Sequence, residues 1–152
     1  MSPYTAKIKR VRHYENKQKE NQMEYSDSLK KNNDFQRVYR KGTSQANRYL
    51  VMYVLENHDR HMENRLGISV SKKVGNSVVR HRITRLIRES YRLNETSFRQ
   101  GVDIVVVARP SAKDRSYQEI ESALMHLAGR TKVLRRTETV VEEKQAEQIR
   151  ED

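Results

Sequence analysis

The stretch VDIVVVARP, residues 102–110, constrains the fold more than any other part of the chain. Apart from Asp103 it offers no polar side chain before Arg109, so a strand made from it is apolar on both faces. Such a strand belongs in the middle of a sheet with cover on both sides, and Pro110 closes it. RYLVMYVLE (48–56) behaves similarly, with Tyr49, Val51, Tyr53 and Leu55 alternating against Leu50, Met52 and Val54. RLGISVS (65–71) is a third strand, and HDRHMEN before it reads as a turn or loop. These long apolar strands argue against an all-helical domain of the helix-turn-helix kind.

Helical signals alternate with the strands. In NNDFQRVYRKG (32–42), Asn33 is placed to cap, Phe35, Val38 and Tyr39 share a face, and Gly42 ends the helix. SYQEIESALMHLAGR (116–130) opens with Ser116 and Glu119 as a capping box and lines Tyr117, Ile120, Leu124 and Leu127 on one side. The order is helix, strands, helix, strand, helix, which predicts an α+β domain over residues 27–132. Residues 1–26 carry few strong hydrophobes and read as a flexible extension. Residues 133–152 read as a mostly acidic, disordered tail.

The chain has 152 residues, a formal net charge of +11 and no cysteine. The last 15 residues hold six acids against Lys144 and Arg150, so the remainder carries +15. This balance points to a polyanion, nucleic acid before a membrane surface. The absence of cysteine, of an apolar leader and of a long apolar span fits a cytoplasmic protein.

The charge concentrates in KKVGNSVVRHRITRLIRESYR, residues 72–92, where seven Lys or Arg face a single carboxylate, Glu89. Gly75 and Asn76 supply a turn, and Asn76 or Ser77 caps the helix that follows. At about 100° per residue, Val79, Ile83, Leu86, Ile87 and Tyr91 form one face. His81, Arg85, Arg88 and Arg92 lie opposite, Arg82 and Glu89 to one side, and Arg80 near the edge of the apolar stripe. Like charges at these spacings cost roughly 0.2–0.5 kcal/mol per pair, which a helix needing only solubility would avoid. Arginine's planar fork matches phosphate oxygens. The helix reads as a phosphate clamp docked by its apolar side, with nothing left to insert into lipid.

RLGISVSKKVGNSVVRHRITRLIRESYR resembles the signature region of the bacterial ribonuclease P protein subunit. That signature is an Arg-Asn-Arg core and alternating basic residues on a helix, after Gly-Ile-Ser-Val-Ser-Lys-Lys and a Gly-Asn turn. LKKNNDFQRVYRKG resembles the family's first helix, SQANRYLVMYVL its first strand and DIVVVARPSA its last strand, in the same order. Here His81 stands in place of the usual asparagine and Thr84 in place of lysine.

The resemblance implies a two-layer α/β sandwich like domain 2 of ribosomal protein S5, with a left-handed βαβ crossover that places the Arg-rich helix. It implies that Arg80, His81, Arg82, Arg85, Arg88 and Arg92 bind the catalytic ribonuclease P RNA. Phe35, Tyr39, Tyr53, Lys72 and Lys73 would then line a cleft for the single-stranded 5′ leader of precursor tRNA. Arg37, Arg40, Lys41 and Arg48 are further candidates for its rim. From pattern alone the three aromatics read as core sooner than as a site. The implied partners are that RNA and precursor tRNA, with no DNA and no membrane. No catalytic residue is expected in the protein, and magnesium is expected only through the RNA. His58 and His61 have no matched ligand pair, and Asp103, at the start of the central strand, is an isolated carboxylate read as ending a turn. A plain RNA-binding or ribosome-associated module on the same kind of fold is the competing reading, and a self-sufficient metal-dependent nuclease finds no ligand set here.

Overall fold

The computed structural model describes residues 23–57 and 63–135. Residues 1–22 and 136–152, and with them most of the expected extension and tail, lie outside the described residues, as do His58 and His61. The elements run β1 Ser26–Ser28, α1 Asn32–Lys41, β2 Thr43–Ala46, β3 Leu50–Glu56, β4 Asn64–Ser69, α2 Ser77–Leu93, β5 Val102–Ala108 and α3 Tyr117–Arg130. They make one five-stranded sheet in the order β1-β4-β5-β3-β2. The apolar strand β5 is its centre, antiparallel to β3 and parallel to β4.

Register sorts the side chains. Leu66, Ile104 and Val54 stand in one row across β4, β5 and β3, and Ile68, Val106 and Met52 in the next. These belong to the large core with Ile83, Ile87 and Tyr91 of α2 and Ile120, Leu124 and Leu127 of α3, each inaccessible to solvent. Each such aliphatic side chain contributes about 1.5–3 kcal/mol through burial, so this face holds the domain together. On the opposite face the buried hydrophobic cluster among the described residues is small, Val38 of α1 packed on Leu29 and Val105. The sandwich is therefore thick on one side and half-open on the other.

The ends of the helices have separate causes. Asn76 caps α2, its side chain accepting from Val79 N–H at 3.0 Å, and the Ser116–Glu119 capping box opens α3 as the sequence predicts. α1 departs from expectation. It begins at Asn32, its N-cap is Lys31 with no side-chain cap, and Asn33 lies inside the helix. Gly42 does end it, and a Cβ there would stand 2.6 Å from the Val38 carbonyl oxygen and 2.8 Å from that of Val54. Only glycine lets α1 stop directly against β3.

Both edges of the domain lie beyond the expected boundaries. Buried Glu95 accepts from the backbone N–H groups of Glu24 at 3.0 Å and Tyr25 at 2.7 Å, and Ser26 Oγ meets Tyr91 Oη at 2.7 Å. At the other end Val133 is fully buried and Leu134 bridges Phe98. Packed residues therefore occur at 24–26 and at 133–134, outside the 27–132 expected from sequence.

Candidate nucleic-acid interface

The residues singled out from sequence lie on two surfaces. The first is the outer face of α2. Because Ile83, Ile87 and Tyr91 are sunk in the core, His81, Arg82, Arg85 and Arg88 are exposed. The six predicted contacts nevertheless fall into different classes. Arg80 is half-buried with its Nε lacking a hydrogen-bond partner, and its carbonyl receives the Thr84 hydroxyl at 2.9 Å. Arg82 donates to the Arg115 carbonyl at 2.9 Å, tying α2 to the turn before α3. Arg92 is half-buried and forks onto Glu89, with Nε–Oε2 at 3.1 Å. That guanidinium, more than any other group, holds the Glu89 carboxyl below the usual carboxylate range. His81, Arg85 and Arg88 make no hydrogen bond or ion pair among the described residues, so they present their full donor sets outward.

The second surface is the half-open face of the sheet. Register lays out three rows across β4, β5 and β3: Arg65–Asp103–Leu55, Gly67–Val105–Tyr53 and Ser69–Val107–Val51. α1 covers the first two. Its Phe35 and Tyr39 rings are 6.4 Å apart, and Tyr39 meets Tyr53 edge-on at 4.9 Å. All three aromatics are half-buried, so each rests on the core and still shows part of its ring. Lys72 and Lys73 are exposed just beyond the end of β4, after Ser69, next to the half-buried third row. Arg37, Arg40, Lys41 and Arg48 are exposed as well. Aromatic edges on a sheet beside cations suit single-stranded nucleic acid, whose bases stack and whose phosphates need neutralising.

Gly67 sets how deep this cleft is. A Cβ on it would stand 2.7 Å from Phe35 Cζ, so the bare backbone is the seat of the ring. Gly67→Ala is expected to lift Phe35 off the sheet and weaken single-stranded RNA binding roughly threefold to tenfold, while global stability falls by about 1–2 kcal/mol. Filter binding of a short oligonucleotide beside a urea melt separates the two effects.

Sequence reasoning missed several residues that shape the site. Asp103 is not at a turn but inside β5 and buried, accepting from Arg65 Nε at 2.9 Å and Nη2 at 2.5 Å and from Asn57 Nδ2 at 3.0 Å. Arg65 also reaches Asp34 on α1 at 3.3 Å. The signal was an acid and a base within apolar strands, which must pair if both are buried. Tyr49 carries the guanidinium carbons of Arg48 and Arg115 at 5.6 and 5.5 Å from its ring centre. Near them Ser111 Oγ bonds the Arg48 carbonyl, so the 109–115 turn adds to the basic end of the molecule.

Among the described residues no three His, Asp or Glu side chains gather as a ligand set. No helix among them is long and apolar enough to cross a membrane.

Comparison with known proteins agrees with this geometry. The family model described as Ribonuclease P matches residues 23–132. The chain is similar to the ribonuclease P protein component of Lachnoclostridium phytofermentans, 60% identical over 113 residues, covering 74% of this chain and 96% of that protein. It is 52% identical over 112 residues to the corresponding component of Alkaliphilus metalliredigens, covering 74% of this chain and 99% of that one. The solved structure of the Staphylococcus aureus RNase P protein superposes with a TM-score of 0.67 at 44% identity, covering 72% of this chain and 99% of that one.

Proposed function

This chain belongs to the ribonuclease P protein family, and from that premise we propose how its two surfaces divide the work of a subunit of that endoribonuclease. The outer face of α2 binds ribonuclease P RNA through Arg85, Arg88, Arg82 and His81, with Arg80 and Arg92 at its margins. The half-open cleft binds the 5′ leader of precursor tRNA, bases against Phe35, Tyr39 and Tyr53 and phosphates toward Lys72 and Lys73. The RNA carries out the cut, with its own magnesium, in the cytoplasm. The protein's share is binding: it recruits the leader, offsets repulsion between two polyanions and favours precursor over product.

The observation that carries this reading is the half-buried state of the three aromatics. A closed core would cover them fully, and stability alone gives no reason to leave aromatic rings and the third row of the sheet half-covered near two exposed lysines. Charge neutralisation on one side and stacking on the other explain why the α2 face and the cleft need different chemistries.

The test is binding by holoenzyme reconstituted from this protein and ribonuclease P RNA. Precursor tRNA with a leader of several nucleotides is expected to bind more tightly than leaderless tRNA. The double variant Phe35→Ala/Tyr39→Ala is expected to lose roughly tenfold of that preference, since each stacked base is worth about 1–3 kcal/mol. A wild-type holoenzyme indifferent to the leader would sink the assignment of the cleft.

A further inference from the structure

We infer that Asp34 is a positioning residue for the leader: its ion pair with Arg65 fixes α1 over the sheet and so sets the width of the cleft. This rests on the reading of the cleft as the leader site and goes beyond it, because Asp34 itself contacts no base.

α1 needs such a device. Its one fully buried apolar residue is Val38, packed with Leu29 and Val105, and its Phe35 and Tyr39 pack only half-buried, so non-directional apolar contact constrains the angle of the helix less than an ion pair does. Two adjacent residues of α1 grip two same-face residues of β4. Asp34 Oδ2 accepts from Arg65 at 3.3 Å, and Phe35 sits on the bare backbone of Gly67. Arg65 is a rigid anchor because it is already held by both oxygens of Asp103, its side chain 7% exposed and that of Asp103 4%. Asp103 is fixed in turn by Asn57. At the other end α1 stops against β3 at Gly42. The helix is thus tied at both ends, and the ring of Phe35 stands one residue from the ionic tie.

Electrostatics makes the inference testable by sign. Asp34, Arg65 and Asp103 together carry a net −1 at the closed end of a cleft meant for a polyanion. If Asp34 mattered only through its charge, neutralising it would tighten leader binding by removing repulsion. If it positions α1, neutralising it must loosen leader binding in spite of the lost repulsion.

The experiment uses holoenzyme reconstituted with ribonuclease P RNA and protein that is wild type, Asp34→Asn or Asp34→Glu. Dissociation constants are measured for leader-bearing and leaderless tRNA, and for the protein with ribonuclease P RNA. Asp34→Asn is expected to weaken leader-bearing tRNA about fivefold, with leaderless tRNA and ribonuclease P RNA unchanged, and Asp34→Glu to restore most of the loss. Tighter or unchanged leader binding by Asp34→Asn overturns the inference. So does a parallel loss of affinity for ribonuclease P RNA, which would mark the residue as merely structural. Indifference of the wild type to the leader overturns the cleft assignment instead, so the two failures are told apart.

Discussion

Changing Arg85 and Arg88 together to alanine is expected to weaken binding to ribonuclease P RNA by about a hundredfold while leaving the protein as stable as before. Both side chains are exposed on α2 and make no hydrogen bond or ion pair among the described residues. Removing them breaks no hydrogen bond or ion pair of the described residues, and the relieved i,i+3 repulsion, a few tenths of a kcal/mol, is offset by the lost attraction of Arg85 for Glu89. In the proposed interface each would supply a charge-assisted bond to phosphate worth about 1.5–3 kcal/mol, so the two losses together come to about 3 kcal/mol or more, two powers of ten in affinity. The dependence of affinity on salt should shrink by about one unit of slope per arginine. Lysine at both positions keeps the charge and loses the fork, so that variant should fall between the two. Titration across a salt series reads all three at once, and an unchanged slope for the alanine variant would remove these residues from the interface.

What could be read in the sequence follows from where the information for each element lies. β5, β3, α2 and α3 carry their own apolar period, so their faces were legible, down to the burial of Ile83, Ile87 and Tyr91 beneath an arginine face. β1 and β2 were not. SDS and TSQA have no such pattern and become strands only because β4 and β3 offer them unpaired edges. The capping of α1 was misread for a related reason. Asn33 is a good cap by composition, yet the helix starts earlier and Asp34 serves the ion pair with Arg65. A helical wheel also gave the angle of Arg80, Arg82 and Arg92 but not their neighbours. The Arg115 carbonyl beside Arg82, 33 residues on in sequence, is long-range knowledge that no local spacing contains. Glu95 is similar, an acid in a short turn whose purpose is the backbone of residues 24 and 25.

Arg65→Met is expected to be the most destabilising single change at the site, costing about 3–5 kcal/mol, because it strands the Asp103 carboxylate in the core. A urea melt should show it as a lower midpoint with an unchanged slope. Burial opposes charge on Arg65, but the bond to Asp103 outweighs it and raises the guanidinium above its ordinary value. A base whose folded value is raised stabilises fully at every pH below its unfolded value. The cost of Arg65→Met is therefore expected to include no pH dependence from Arg65 between pH 5 and 9, the window in which arginine stays charged. Adding Asp103→Leu should recover most of the loss, since replacing both members of a buried pair by apolar groups is often nearly neutral. The other partners can turn to water: Asp34 is 25% exposed and Asn57 is half-buried. A loss of less than 1 kcal/mol in Arg65→Met would show that the pair does not hold the sheet. The double variant separates stability from function. It should fold and bind ribonuclease P RNA through an intact α2, yet Asp34 has then lost its anchor, so leader preference should stay as low as in Asp34→Asn. If the preference returns with stability, the ion pair serves the fold alone. If it does not, the buried charges are kept at β4 and β5 because they hold the cleft at the width its substrate needs.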